Sequence, residues 1–90
     1  MFGGESVRVK FRAKRHIVKD IIDWFGYDVH LSDDGEDSVI AEVKVSQQAM
    51  FYWSLQYGEH VEVLTPESLR ERVGTAAKGI AEKYGGENPV

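Results

Sequence analysis

The chain has 90 residues, of which 42% are hydrophobic and 29% are charged, and its net charge at pH 7 is −4. This length predicts one domain with one modest hydrophobic core. Cysteine is absent, which excludes disulfide frameworks, cysteine-ligated metal sites and thiol catalysis. No apolar run approaches the roughly 18 residues of a transmembrane helix, and the first residues lack a secretory signal pattern. We therefore expect a cytoplasmic protein that does not enter a membrane.

The charge is unevenly distributed along the chain. Residues 1–19 hold six bases against one acid, whereas residues 20–90 hold five bases against fourteen acids. A local basic segment on an acidic domain would attract an anion or an acidic partner. The overall acidity argues against independent binding to duplex DNA, because contacts to phosphates supply most of that affinity.

The first half of the chain predicts a strand, a helix and a hairpin. Apolar and basic residues alternate over residues 7–12, which is typical of a half-buried strand. Apolar residues at helical spacing follow over residues 17–25. Alternation returns over residues 27–31 and 39–45, and the polar segment 32–38 between them has the composition of a turn. We expect Gly26 to end the helix and Gly35 to supply a positive φ in the turn.

The second half predicts helix, strand and helix. Ser46 has the side chain of an N-cap for a second helix, which Gly58 would close. Residues 60–64 alternate as a fourth strand. We expect Thr65 to cap the third helix with its hydroxyl group, and Pro66 to occupy the first helical position.

The third helix is predicted to carry one apolar stripe toward the core, formed by Leu69, Val73, Ala77, Ile80 and Tyr84. Two glycines interrupt this helix, at a cost of about 1 kcal/mol each relative to alanine. Either a neighbouring backbone approaches closely at Gly74 and Gly79, which is the interpretation we favour, or the two glycines face solvent and have no packing role.

Together these elements predict an α+β fold in one domain of residues 1–90, with an ordered core over about residues 7–84. The order β-α-β-β-α-β is the ferredoxin-like arrangement, here with an added C-terminal helix. Its antiparallel sheet has the strand order 4-1-3-2, with both core helices on one face.

Several strings in the chain resemble the C-terminal extension domain, WCX, of bacterial transcriptional regulators that contain a WYL domain. The resemblance covers about residues 7–84, and the strings are specific as an ordered set. They are Phe25-Gly26-Tyr27-Asp28-Val29, Val43-Lys44-Val45-Ser46 leading to Trp53, Gly58-Glu59-His60-Val61-Glu62-Val63-Leu64, Pro66-Glu67-Ser68-Leu69-Arg70, and Tyr84.

The resemblance implies a regulatory domain without catalytic chemistry, which aids effector response or dimerisation. In such regulators an N-terminal helix-turn-helix binds DNA and a WYL domain senses an effector. Neither part is present in this sequence, so we expect a fragment of a longer regulator that touches DNA only through its missing parts. The expected partners are the WYL domain and helix-turn-helix of the same protein, together with a second copy of the chain.

The open face of the sheet is the first candidate site. In the order 4-1-3-2 the first strand is central and displays Arg8, Lys10 and Arg12, a basic platform for an anionic effector or a single-stranded nucleic acid. The alternative is a solvated face on which Glu42 and Glu62 pair with these bases across the strands. An RNA-recognition module is excluded, because its exposed stacking aromatics have no counterpart on these strands.

The second helix is the other candidate site. Phe51, Tyr52 and Leu55 lie beside the stripe that the core requires, so they either pack under the third helix or form an interaction surface.

We expect no catalytic site, cofactor or metal ion. His30 and His60 fall on opposite edge strands, and His16 lies near the start of the first helix. The acidic residues of 33–37 lack the ligand spacing of an EF-hand. The alternative function, from another class, is a small-molecule-binding domain similar to the ACT fold, which shares this topology.

Overall fold

The structure, a computed structural model, describes residues 6–85 and is of the α+β class. Short 3-10 turns at Arg15–Ile17 and Gly26–Asp28 precede and follow the first helix. None of the helices in this part of the chain is long and apolar enough to cross a membrane. The strands are β1 (Ser6–Lys14), β2 (His30–Asp33), β3 (Ser38–Ser46) and β4 (Val61–Thr65), and the helices are α1 (Val18–Phe25), α2 (Gln47–Gln56) and α3 (Glu67–Lys83).

The four strands form one antiparallel sheet in the order β2-β3-β1-β4. Read from its β4 edge, this order is 4-1-3-2. The central strand β1 pairs with β3 over its whole length, from Ser6 opposite Ser46 to Lys14 opposite Ser38. Its pairing with β4 shifts between Lys10 and Phe11, where β4 bulges. The charged residues of β1 therefore lie at the middle of the sheet.

The hydrophobic core lies on one face of the sheet, because alternate residues of each strand point to opposite sides. At its centre an aromatic cluster joins β1, α1 and α2: the Trp53 ring lies 5.4 Å from Phe11 and 4.9 Å from Phe25, between ring centroids. Such pairs contribute about 0.5–1.5 kcal/mol beyond the area that they bury. The buried apolar residues are Val9, Phe11, Ala13, Ile17, Ile21, Val39, Ala41, Val43, Met50, Trp53, Val63 and Leu69.

The ends of the first two helices confirm most of the predicted caps. Gly26 ends α1 with φ +71°, and Gly35 turns the hairpin with φ +87°. The Ser46 Oγ accepts a hydrogen bond from the Ala49 backbone N–H at 3.3 Å, as an N-cap does. The predicted start of the second strand is wrong, because residues 26–28 wind into a 3-10 turn and pairing with β3 begins only at His30.

The predicted start of the third helix is also wrong. Thr65 is the last residue of β4 and pairs with Lys10, since the bulge lets β4 continue by one residue. The Thr65–Pro66 peptide bond is cis, and Pro66 is the residue that precedes the helix. One turn into α3, Arg70 donates a hydrogen bond from Nη1 to the Val63 carbonyl at 2.8 Å, at the outer edge of β4.

Only the first part of the α3 stripe packs as predicted. Leu69 is fully buried and Val73 is half-buried, but Ile80 is 47% exposed and Tyr84 is 78% exposed. The predicted close approach at the glycines is wrong, because a Cβ atom at Gly74 or Gly79 would have no atom of the described residues within 4 Å. The C-terminal half of α3 therefore extends beyond the packed core.

Candidate interaction surfaces

The three predicted basic residues lie together on the open face of the sheet, opposite the helices. Arg8 and Lys10 are exposed, and Arg12 is half-buried. The register places Arg8 opposite Lys44 on β3 and Lys10 opposite Glu42.

Arg12 is held between two carboxylates. Its Nε lies 2.8 Å from the Asp34 Oδ2, and its Nη1 lies 2.9 Å from the Glu62 Oε1. The hydrogen bond and charge of Asp34, followed by those of Glu62, raise the pKa of Arg12 above its ordinary value. The pairing of Glu62 is the one expected for a solvated face, and Arg12 is committed to contacts within the chain.

Arg15 is a second base of the N-terminal segment that contacts the acidic hairpin turn. Its guanidinium group donates to the Glu36 carbonyl at 2.9 Å, to the Asp33 Oδ1 at 2.9 Å and to the Gly35 carbonyl at 3.0 Å. The uneven charge of the sequence is thus partly compensated in the fold, because Arg12 and Arg15 form ion pairs with Asp34 and Asp33 at the β2–β3 hairpin.

Unlike Arg12 and Arg15, Arg8 and Lys10 take part in none of the ion pairs within residues 6–85. They border a shallow depression of about 480 Å³ on the open face, together with His30 and Ser32 from β2. Pairing of His30 with Glu42 brings the histidine to the level of Lys10. Sequence reasoning missed His30 as a neighbour, although the alternation of β2 placed it on this face.

The positions for stacking aromatics on this face hold other residues. Phe11 is fully buried on the helix side of β1, and the β3 residues opposite Arg12 and Lys10 are the half-buried Ile40 and Glu42. A mechanism that stacks bases on rings of β1 or β3 is therefore unsupported by the described residues.

The three predicted surface residues of α2 have different surroundings. Phe51 is half-buried, and the Arg72 guanidinium of α3 lies over its ring at 4.1 Å from the centroid. Tyr52 is 60% exposed and stacks edge-on against Phe51. Phe51 therefore packs under the third helix, whereas Tyr52 remains at the surface.

Leu55 lines an apolar groove between the end of α2 and the C-terminal half of α3. The groove has a volume of about 400 Å³; Ala77, Ile80 and Ala81 form its α3 side, and Gln56, Glu59 and His60 also line it. Sequence reasoning assigned Ala77 and Ile80 to the core and so missed them as surface residues. The helical spacing of the apolar residues was predicted correctly. It could not show that the C-terminal half of α3 extends beyond the packed core.

A comparison with known protein families shows to which family the chain belongs. The model of the WCX domain family matches residues 4–81. The chain belongs to the WCX domain family. The resemblance inferred from the ordered sequence strings is thereby confirmed. A search of curated proteins found no match to the chain.

The match places both surfaces within this WCX domain. It includes the basic residues of β1 and the groove residues as far as Ala81, whereas Tyr84 lies beyond it. Among residues 6–85, no three His, Cys, Asp or Glu residues cluster as a ready-made metal site. The two candidate interaction surfaces of this WCX domain are its open basic face and its α2–α3 groove.

Proposed function

We propose that this WCX domain is a non-catalytic regulatory and interaction module of a bacterial transcription regulator, with a ferredoxin-like arrangement of its elements. In this proposal the domain is cytoplasmic, and DNA binding and primary effector sensing belong to a helix-turn-helix and a WYL domain of the same protein. Family membership supports the regulatory role. The acidic balance of the chain supports assigning DNA contacts to other parts.

The observation that carries the interaction role is the exposed apolar surface around the α2–α3 groove. Leu55, Ala77, Ile80 and Ala81 line the groove, and the side chains of Ile80 and Tyr84, one helical turn apart at the C-terminal end of α3, are 47% and 78% exposed. Exposed apolar surface of this kind is typical of a contact site. A surface with both a groove and exposed apolar side chains suits the self-complementary interface of a two-fold dimer. We therefore assign it to a second copy of the chain.

The dimer is tested by light scattering on the chain over a dilution series. We expect Ile80→Asp to raise the dimer dissociation constant about thirtyfold or more, since burying an unpaired carboxylate costs at least about 2 kcal/mol at an interface core. The matched control is Ile22→Asp, which adds the same charge at an exposed apolar position of α1. A chain that stays monomeric at all concentrations but binds the WYL domain through Ile80 would reassign the surface to that domain and refute the dimer.

A second candidate function is small-molecule binding similar to that of the ACT fold, here of an anionic effector; a short single-stranded nucleic acid is the other candidate ligand of the same basic face. The depression beside Arg8, Lys10 and His30 favours this function. None of these three side chains forms an ion pair with another residue of 6–85, so their polar groups are available to a ligand. NMR titration at low salt with nucleotides, amino acids and short single-stranded DNA tests this function. We expect shifts around the depression that the double variant Arg8→Gln/Lys10→Gln abolishes and Lys78→Gln on α3 preserves. Absence of shifts with every ligand would eliminate it.

A further inference from the structure

Two histidines that are distant in sequence meet at one corner of the domain. The ring centroids of His16 and His60 lie 4.8 Å apart, with an angle of 83° between the ring planes. His16 belongs to the turn after β1, and His60 immediately precedes β4. A backbone hydrogen bond of 2.9 Å from the Lys14 N–H to the His60 carbonyl holds the two segments side by side. The fold thus holds the two segments that carry these imidazole groups side by side.

We propose that His16 and His60 form a two-histidine binding site for a divalent transition-metal ion. Imidazole nitrogen is a preferred ligand of Zn²⁺, Cu²⁺ and Ni²⁺. A zinc–nitrogen distance of about 2.0–2.1 Å places each ring centroid about 3.2 Å from the ion. Two such rings on one ion lie about 4.5 Å apart at a right angle and about 5.2 Å apart at the tetrahedral angle. The observed 4.8 Å falls between these two values.

The surroundings of the pair permit the small ring rotations that would direct one nitrogen of each imidazole to a common point. His16 is exposed and His60 is half-buried. None of the side-chain hydrogen bonds within residues 6–85 uses a nitrogen of either ring. Both rings can therefore turn toward an ion without breaking a side-chain hydrogen bond to the described residues.

The charges around the pair are balanced. His60 borders a depression with Arg12, Lys14, Glu59 and Glu62, and His16 borders another with Lys14, Arg15, Glu36 and Asp37. Because the described residues hold no ready-made group of three ligands, water molecules complete the coordination. The affinity is accordingly weaker than that of a structural site with four protein ligands.

The experiment is calorimetric titration of the untagged chain with Zn²⁺ and, separately, with Cu²⁺, followed by NMR of the imidazole signals. We expect one ion per chain and shifts confined to His16 and His60. His16→Ala or His60→Ala lowers the affinity at least tenfold. The matched control His30→Ala removes a histidine from the opposite edge of the sheet and leaves the affinity unchanged within about twofold.

Two further variants keep the result interpretable. His16→Gln and His60→Gln retain a polar side chain of similar size, and their circular dichroism melting curves show whether the fold is kept. Because a ligating imidazole nitrogen must be unprotonated, the affinity for the ion falls as the solution is made more acidic. Unchanged affinity in the double variant His16→Ala/His60→Ala, or loss of binding in His30→Ala, would overturn the site.

Discussion

Glu62 connects three elements through its two carboxylate oxygens. The Oε1 atom accepts from Arg12 on β1, and the Oε2 atom accepts from Arg70 on α3 at 3.0 Å. The hydrogen bond from Arg70, with a further one from Arg12, lowers the pKa of Glu62 below its ordinary value. Glu62 itself belongs to β4, so one side chain ties the centre of the sheet to its edge and to the last helix.

The lowered pKa of Glu62 predicts a loss of stability in acid. The ionised form is favoured by folding, so its contribution is present above about pH 4.3, where an unfolded glutamate titrates, and is lost as the pH falls through the folded value. We expect Glu62→Gln to lower the free energy of unfolding at neutral pH by at most about 1 kcal/mol, since the side chains are half-exposed and screened by solvent.

Urea unfolding at a series of pH values measures this effect. The difference between the wild type and Glu62→Gln should shrink as the pH falls below about 4.3, where an unfolded glutamate titrates. Glu59→Gln, at an exposed residue of the preceding turn, serves as the control. If the free energy of unfolding of the wild type and of Glu62→Gln varied with pH in the same way, ionisation of the Glu62 carboxyl group would make no contribution to stability.

Helix α1 ends at a glycine and helix α3 contains one, both with open space around them, but the backbone conformations at the two glycines differ. Gly26 ends α1 with φ +71° and ψ −158°, a region that only glycine populates readily. Gly79 lies inside α3, where its backbone continues the helix. Apart from the glycine's own chain neighbours and, in α3, the adjacent helix backbone, no atom of the described residues lies within 4 Å of a Cβ atom built at either position. The same substitution at the two positions therefore isolates backbone conformation from packing.

We predict opposite effects for Gly79→Ala and Gly26→Ala. Gly79→Ala should raise the free energy of unfolding by up to about 1 kcal/mol through helix propensity. Gly26→Ala should lower it by about 1–3 kcal/mol through backbone strain. Chemical denaturation of both variants measures the two values. Equal signs would mean that the backbone angles at Gly26 are not those described.

The sequence was sufficient for the number and type of the elements but not for all of their ends. Alternation of period two and apolar spacing of period 3.6 identified the strands and helices. The Ser46 cap was predictable because a cap is local. The end of β4 at Thr65 was not predictable, since it depends on a bulge against Lys10 and so on pairing with a distant strand.

At the scale of the whole molecule, the division into a packed face and an open face was predictable and the contacts across the fold were not. The alternating pattern placed Phe11 inside and Arg8 and Lys10 outside, as observed. The contact between His16 and His60 arises from the register of β1 with β4, which no local pattern encodes. The basic part of the candidate site was therefore accessible from the sequence, while the groove and the histidine pair required the tertiary arrangement.

The sheet ends differently on its two sides. On the β4 side, α3 runs beside the strand and Arg70 occupies the outward carbonyl of Val63. On the other side β2 is a short strand whose four residues are all exposed. An extended segment can add to a sheet only where backbone groups are accessible. Lengthening of this sheet, by a recruited peptide strand or in early aggregation, is therefore directional and begins at β2.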